Sequence, residues 1–171
     1  MNKDIVDELQ DDWSEQRPDL DLEPMGIALR IQALAKILGD QTAARLQEFE
    51  LHWWQYDALS TLRRQGKPYE MAATELADDN MLTSGAMTNR IDRLEDRNLV
   101  ERQPHSDDRR RVMVRLTQKG KKVIDEAIQY RLNAARESLR ELSPGRQAQL
   151  ASLLREVMLS NGDSAGRVAD R

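Results

Sequence analysis

The chain has 171 residues, 39% hydrophobic and 33% charged, with 26 Lys plus Arg against 30 Asp plus Glu, which suits one soluble compact domain with an appended segment. Seven aromatic residues among abundant Leu, Ala, Arg, Glu and Asp argue against an all-β fold, and the lack of cysteine excludes disulfides, thiolate metal sites and cysteine nucleophiles. His52 and His105 lie too far apart in sequence to suggest a zinc centre or a His-based triad, so neither a metal nor a cofactor is expected.

No apolar run reaches the ~18 residues of a membrane span, and the first twenty residues are acidic where a secretion signal is basic and then apolar, so the expected location is the cytoplasm. Residues 1–24 carry nine acids against Lys3 and Arg17, and the rest of the chain is mildly basic. This acidic segment is expected to be helical around Trp13. Residues 25–50 read as a helix, because Ile27, Ile31, Leu34 and Leu38 recur at three- and four-residue steps, with Ala28, Ala35 and Ile37 widening the stripe. A second helix spans about Glu50 to Gln65 and is stopped by Gly66-Lys67-Pro68. Residues 72–79 form a short third helix, and a polar turn, Asp79 to Thr83, leads to a fourth over about Ser84 to Arg97.

In that fourth helix Met87, Ile91 and Leu94 make one apolar face. Gly85, Thr88, Asn89, Asp92 and Arg93 occupy the other, and Thr83 or Ser84 can cap the N-terminus. A short helix, a tight turn and a second helix presenting small donors and acceptors form a helix-turn-helix, the arrangement that fits the DNA major groove. The candidate DNA contacts there are Thr83, Ser84, Gly85, Thr88, Asn89 and Arg93.

Leu99-Val100-Glu101-Arg102 is strand-like, Pro104 to Asp108 reads as a turn, and Val112, Val114 and Leu116 alternate with Met113, Arg115 and Thr117, which predicts a β-hairpin. From Arg109 to Lys122 seven positive charges run without an acid. That is either a polyanion footprint or a solvated face. On a hairpin that follows a helix-turn-helix, Arg109, Arg110 and Arg111 read as the tip of a wing reaching a minor groove. Asp107 and Asp108 are assigned to holding the turn.

Thr117 caps a long helix through about Glu141, with Val123, Ile124, Ala127, Ile128, Leu132, Ala135 and Leu139 on one side; Ser143-Pro144 starts a last helix to about 160. The tail from about 161 has little to pack and is expected to be flexible. The apolar stripes of residues 25–50 and 117–160 exceed what residues 51–116 can cover, so a homodimer through the terminal helices is expected, with a monomeric bundle as the alternative.

The run Leu82 to Glu95, then Leu99-Val100-Glu101-Arg102, Asp107-Asp108-Arg109-Arg110 and Val114 to Gly120, strongly resembles the MarR family of bacterial transcription regulators. The resemblance implies a mainly α fold with a small β-hairpin wing, a triangular winged-helix homodimer on a pseudo-palindromic DNA operator. It also implies repression relieved by a small phenolic or anionic effector bound between the DNA-binding and dimerisation regions. Within the family the chain is most similar to the urate-responsive HucR/PecS branch: Trp13, Asp57 and Arg90 match its ligand positions, and Gln65 stands where that branch has asparagine.

Trp13 could stack on a planar anion and Arg90 could pair with it. Asp57 would compete for Arg90 in the ligand's absence. The plainer alternative is that Trp13 is an anchor and Asp57 with Arg90 an interhelical ion pair. Trp53, Trp54 and Tyr56 read as core and pocket wall, and His52 as structural. A different class of function is a helical scaffold or adaptor whose basic segment meets an acidic protein. An enzyme is the weakest reading, because no phosphate-cradling glycine loop, His-Glu-x-x-His or nucleophile elbow is present.

Overall fold

The computed structural model describes residues 3–104 and 111–161, and the chain divides into two compact units, Met1–Thr42 and Ala43–Arg171. The first unit opens with helix α1, Ile5–Gln16, which contains Trp13. Asp4 starts it through a capping box: its carboxylate accepts from the N–H groups of Val6 and Asp7, each at 2.9 Å, while Asp7 accepts from the Asp4 N–H. Helix α2, Glu23–Gln47, begins in this unit and ends in the next. Arg30 of α2 grips the same cap, donating to Asp4 at 2.9 and 3.0 Å and to Asp7 at 2.6 Å. Gln10 donates to the Leu22 carbonyl at 2.8 Å, so the α1–α2 turn is pinned at both ends.

In the second unit the chain turns through Glu50, which has positive φ, and starts α3 at Trp53 (Trp53–Arg64), three residues later than the periodicity predicts. Gln65 caps α3 at its C-terminus, and Gly66, with φ +76, takes the left-handed conformation that releases the chain from the helix. Strand β1, Glu70–Ala72, then leads into α4, Ala73–Asp79. A turn through Asn80 and Met81 joins α4 to α5, Ser84–Asp96, and Thr83 caps α5 by accepting from the Ala86 N–H.

Strands β2, Val100–Pro104, and β3, Val112–Leu116, form the hairpin. β1 joins it to give an antiparallel sheet of order β1-β3-β2, with Glu70 opposite Arg115 and Arg102 opposite Val114. The third strand is absent from the sequence reading, because three residues give no alternation to read. Thr117 caps α6, Gln118–Ser138, as expected, and α7, Pro144–Ser160, has Ser143 at its N-cap and Pro144 in its first turn.

One apolar core holds the second unit. Leu59 and Leu62 of α3, Leu76 of α4, Met87, Ile91 and Leu94 of α5, Val114 of β3 and Ile124 of α6 are all essentially sealed from solvent. The apolar face read from α5 is therefore the face that is buried. Gly120 closes the packing of α6 on the segment leading into β2, since a Cβ there would lie 1.9 Å from the Leu99 carbonyl oxygen. By contrast α7 has no buried residue, and Leu132 of α6 and Leu139 at its C-cap are exposed, as are Ile27, Ile31, Leu34, Ile37 and Leu38 of α2. No described helix is long and apolar enough to cross a membrane.

Candidate nucleic-acid interface

α5 is held by its buried stripe, and the residues between the stripe positions are set outward. Ser84, Gly85, Thr88, Asn89 and Arg93 are exposed, as is the capping Thr83. Gly85 has nothing within 4 Å of where a Cβ would stand, so the N-terminal turn of α5 is open to close approach. The Thr88 hydroxyl donates to the Ser84 carbonyl at 2.9 Å and keeps its oxygen available as an acceptor. Seven sequence-derived contacts, counting Arg111 of the wing, thus fall on exposed described positions. Arg109 and Arg110, with His105, Asp107 and Asp108, lie outside the described residues.

The wing is pinned to both helices of the helix-turn-helix. Arg111 donates to Glu75 of α4 at 2.8 Å. Arg102 of β2 reaches α5: its guanidinium pairs with Asp92 at 2.6 Å and with Glu95, and lies 3.2 Å from the Thr88 carbonyl. Its backbone N–H also donates to Glu95 at 2.8 Å. Asp92, placed by the sequence on the polar face of α5, is therefore engaged. Sequence reasoning passed over Arg102, because its partners come within reach only when the hairpin folds back along the helix.

The expected effector residues occupy different settings. Asp57 and Arg90 are both half-buried, on α3 and α5, and the Arg90 guanidinium lies over the Trp54 ring, 5.3 Å from its centroid. Gln65 is exposed at the end of α3, with its amide 3.4 Å from the Thr61 carbonyl. Trp13 belongs to the first unit and is 48% exposed. Trp53 stacks on Tyr56 with ring centroids 5.6 Å apart, and Arg131 of α6 lies over both rings; Tyr56 is in the core and Trp53 and Trp54 pack against it, which agrees with the core part of their reading. His52 caps α3 from an exposed position, its N–H donating to Gln55 at 2.9 Å.

Away from α5, Arg63 of α3 donates to Asp125 of α6 at 2.6 Å, and Lys121 donates to the same carboxylate at 3.0 Å. Chiefly through the Arg63 hydrogen bond, the Asp125 carboxyl is held below its ordinary value, and the Arg63 guanidinium is pushed up in turn. Arg63 also lies over the Tyr69 ring at 4.8 Å.

Residues 51–112 match the MarR family model. The chain is 29% identical to the HTH-type transcriptional regulator PecS of Dickeya dadantii over 152 residues, 89% of this chain and 92% of that protein. Among solved structures it is similar to a MarR family protein from Bacillus stearothermophilus, with a TM-score of 0.70, 22% identity, and 82% and 97% of the two chains covered. It is also similar to Sco3205 of Streptomyces coelicolor, a MarR family regulator solved in complex with DNA, with a TM-score of 0.69, 24% identity, and 85% and 92% covered. The winged-helix part of this chain is therefore similar to the MarR family.

Proposed function

We propose that this protein is a MarR-family regulator that binds a pseudo-palindromic DNA operator as a homodimer, represses transcription from it, and is released by a small aromatic anion. The observation that carries the DNA reading is the division of α5 into a buried stripe, Met87, Ile91 and Leu94, and an exposed row, Thr88, Asn89 and Arg93, beside a pinned wing. Sco3205, a relative by fold, is described in complex with DNA. The dimer reading draws on α7, a helix of 17 residues with no residue buried in one chain. Such a helix needs a partner for its apolar side chains, because hydrogen bonds alone leave a helix of this length marginal. In a dimer of this kind the two recognition helices enter successive major grooves about 34 Å apart.

The effector reading draws on Arg90 beside Trp54, a cation and an aromatic face on the flank of α5 between its buried stripe and its exposed row. It adds Asp57, Gln65 and Trp13 from the resemblance to the urate-responsive branch. A planar carboxylate or urate anion would compete with Asp57 for Arg90 and move α5.

Fluorescence anisotropy with a duplex selected from a random pool by the protein tests both parts. Asn89→Ala or Arg93→Ala is expected to cost roughly 1–3 kcal/mol and to relax preference at particular base pairs, whereas Arg110→Ala weakens binding to all sequences and flattens the salt dependence. Equal effects of all three on selected and scrambled DNA would overturn the assignment. Urate and salicylate are then titrated into the wild-type complex and into Trp13→Phe, Asp57→Ala and Arg90→Ala complexes. If neither anion releases the wild type, the effector part fails and the DNA part stands.

A further inference from the structure

We infer that Arg102 is a positioning residue for DNA binding: it locks the wing to the recognition helix and masks two carboxylates of that helix from the DNA backbone, without itself touching DNA. The inference rests on the DNA-binding reading above and adds a residue that neither the sequence motif nor the family match assigns. Four contacts converge. The Arg102 guanidinium pairs with Asp92 at 2.6 Å and with Glu95, its Nη2 lies 3.2 Å from the Thr88 carbonyl oxygen, and its backbone N–H donates to Glu95 at 2.8 Å.

The backbone contact follows from the sheet order. β2 is an edge strand, so the outward N–H of Arg102 has no neighbouring strand, and a carboxylate of α5 takes that place. Helix and wing are thereby joined along the edge rather than at one point. Arg111, paired with Glu75, makes the corresponding tie to α4, so the hairpin is fixed to both helices.

Electrostatics gives the arrangement a second consequence. Asp92 is exposed and lies one residue from Arg93, on the helix proposed to enter the groove. An unpaired carboxylate there would face phosphates, and the unfavourable field would extend over a Debye length of about 10 Å at 0.1 M salt. The fork of Arg102 spans both acids, which a lysine ammonium cannot do with the same geometry. With the guanidinium committed to three acceptors on α5, its role is to hold charge and shape in place, and phosphate contact is left to other cations.

The test uses the full-length protein, the selected duplex and a scrambled duplex, with binding measured over a series of salt concentrations. Arg102→Gln is expected to weaken binding to the selected duplex about tenfold at 0.1 M salt while leaving the slope of log K against log salt unchanged, since no phosphate contact is lost. Adding Asp92→Asn to Arg102→Gln is expected to recover most of the loss, and Arg102→Lys to fall between wild type and Arg102→Gln. A slope reduced by about 0.9 makes Arg102 a direct phosphate ligand and overturns the inference, as does a double variant no better than the single one. Should circular dichroism find Arg102→Gln unfolded, Asp92→Asn with Glu95→Gln addresses the same point. Scrambled-duplex binding then rises and discrimination between the duplexes falls, and unchanged discrimination overturns the inference. Wild-type protein that binds neither duplex defeats the DNA reading instead.

Discussion

Replacing Gly120 by alanine sets two effects of opposite sign against each other. In a helix interior the change should stabilise by about 1 kcal/mol, because alanine loses less backbone freedom on folding than glycine. Here the new methyl would stand 1.9 Å from the Leu99 carbonyl oxygen and 2.8 Å from its carbon, where real Cβ atoms stay beyond 3.0 Å. Both sides of the contact are backbone, so no side chain can swing away, and α6 must move from Leu99 by about 1 Å or more. That carbonyl also accepts from the Thr117 N–H at 3.1 Å and is approached by its hydroxyl at 3.3 Å, at the start of the same helix. Displacing packed backbone costs about 1–3 kcal/mol and weakening the hydrogen bond about 1 kcal/mol, so after the alanine gain the net is a loss of roughly 1–3 kcal/mol. Urea unfolding at one fixed protein concentration should place the Gly120→Ala midpoint about 1 M below wild type with an unchanged slope. Gly145→Ala, in α7 with nothing within 4 Å, should be neutral or slightly stabilising. A Gly120→Ala midpoint at or above wild type would refute the close approach of α6 to Leu99.

The ion pair of Arg63 with Asp125 gives a pH prediction. The Asp125 carboxyl is held below its unfolded value of about 3.9, so its contribution is present above about pH 4 and is lost as pH falls through the lower folded value. The pair is partly exposed, so Asp125→Asn should cost no more than about 1 kcal/mol at pH 7, and the difference from wild type should shrink below pH 4. A difference that grows on acidification would contradict the sign. Gly85→Ala should leave thermal stability unchanged or raised, because its Cβ meets nothing, yet weaken operator binding by crowding the N-terminal turn of α5. Full affinity in that variant would move the DNA surface away from this turn.

Much of the helix-turn-helix is legible because its signals are local. Met87, Ile91 and Leu94 are spaced for one helix face and are buried on one face, and Thr83 and Thr117 sit one residue before the helices they cap. Gly120 carries a family motif in the sequence, and the approach to Leu99 supplies its physical reason. What the sequence hides is non-local. Strand β1 exists through pairing with β3, more than forty residues away, and three residues give no period of their own. The start of α3 moves to Trp53 because the chain turns through Glu50 at positive φ, a cost that no periodicity registers. Arg102 reads as one more charge on a hairpin until the fold brings Asp92 and Glu95 to it.

Within the stretch from Thr88 to Glu95, neighbouring residues serve different surroundings. Ile91 and Leu94 enter the core, Arg90 lies over Trp54, Asn89 and Arg93 are exposed, and Asp92 with Glu95 takes the wing through Arg102. At 1.5 Å of rise per residue these duties fall within about two turns of one helix. A ligand that changes what Arg90 rests against therefore needs no relay of side chains to reach Asn89 and Arg93, because all three are carried on the same rigid element. The Arg102 clamp extends that element to the hairpin. Under the proposed function, displacement of α5 and withdrawal of the wing are then one motion, and variants that loosen the clamp should uncouple DNA release from ligand occupancy before they abolish either.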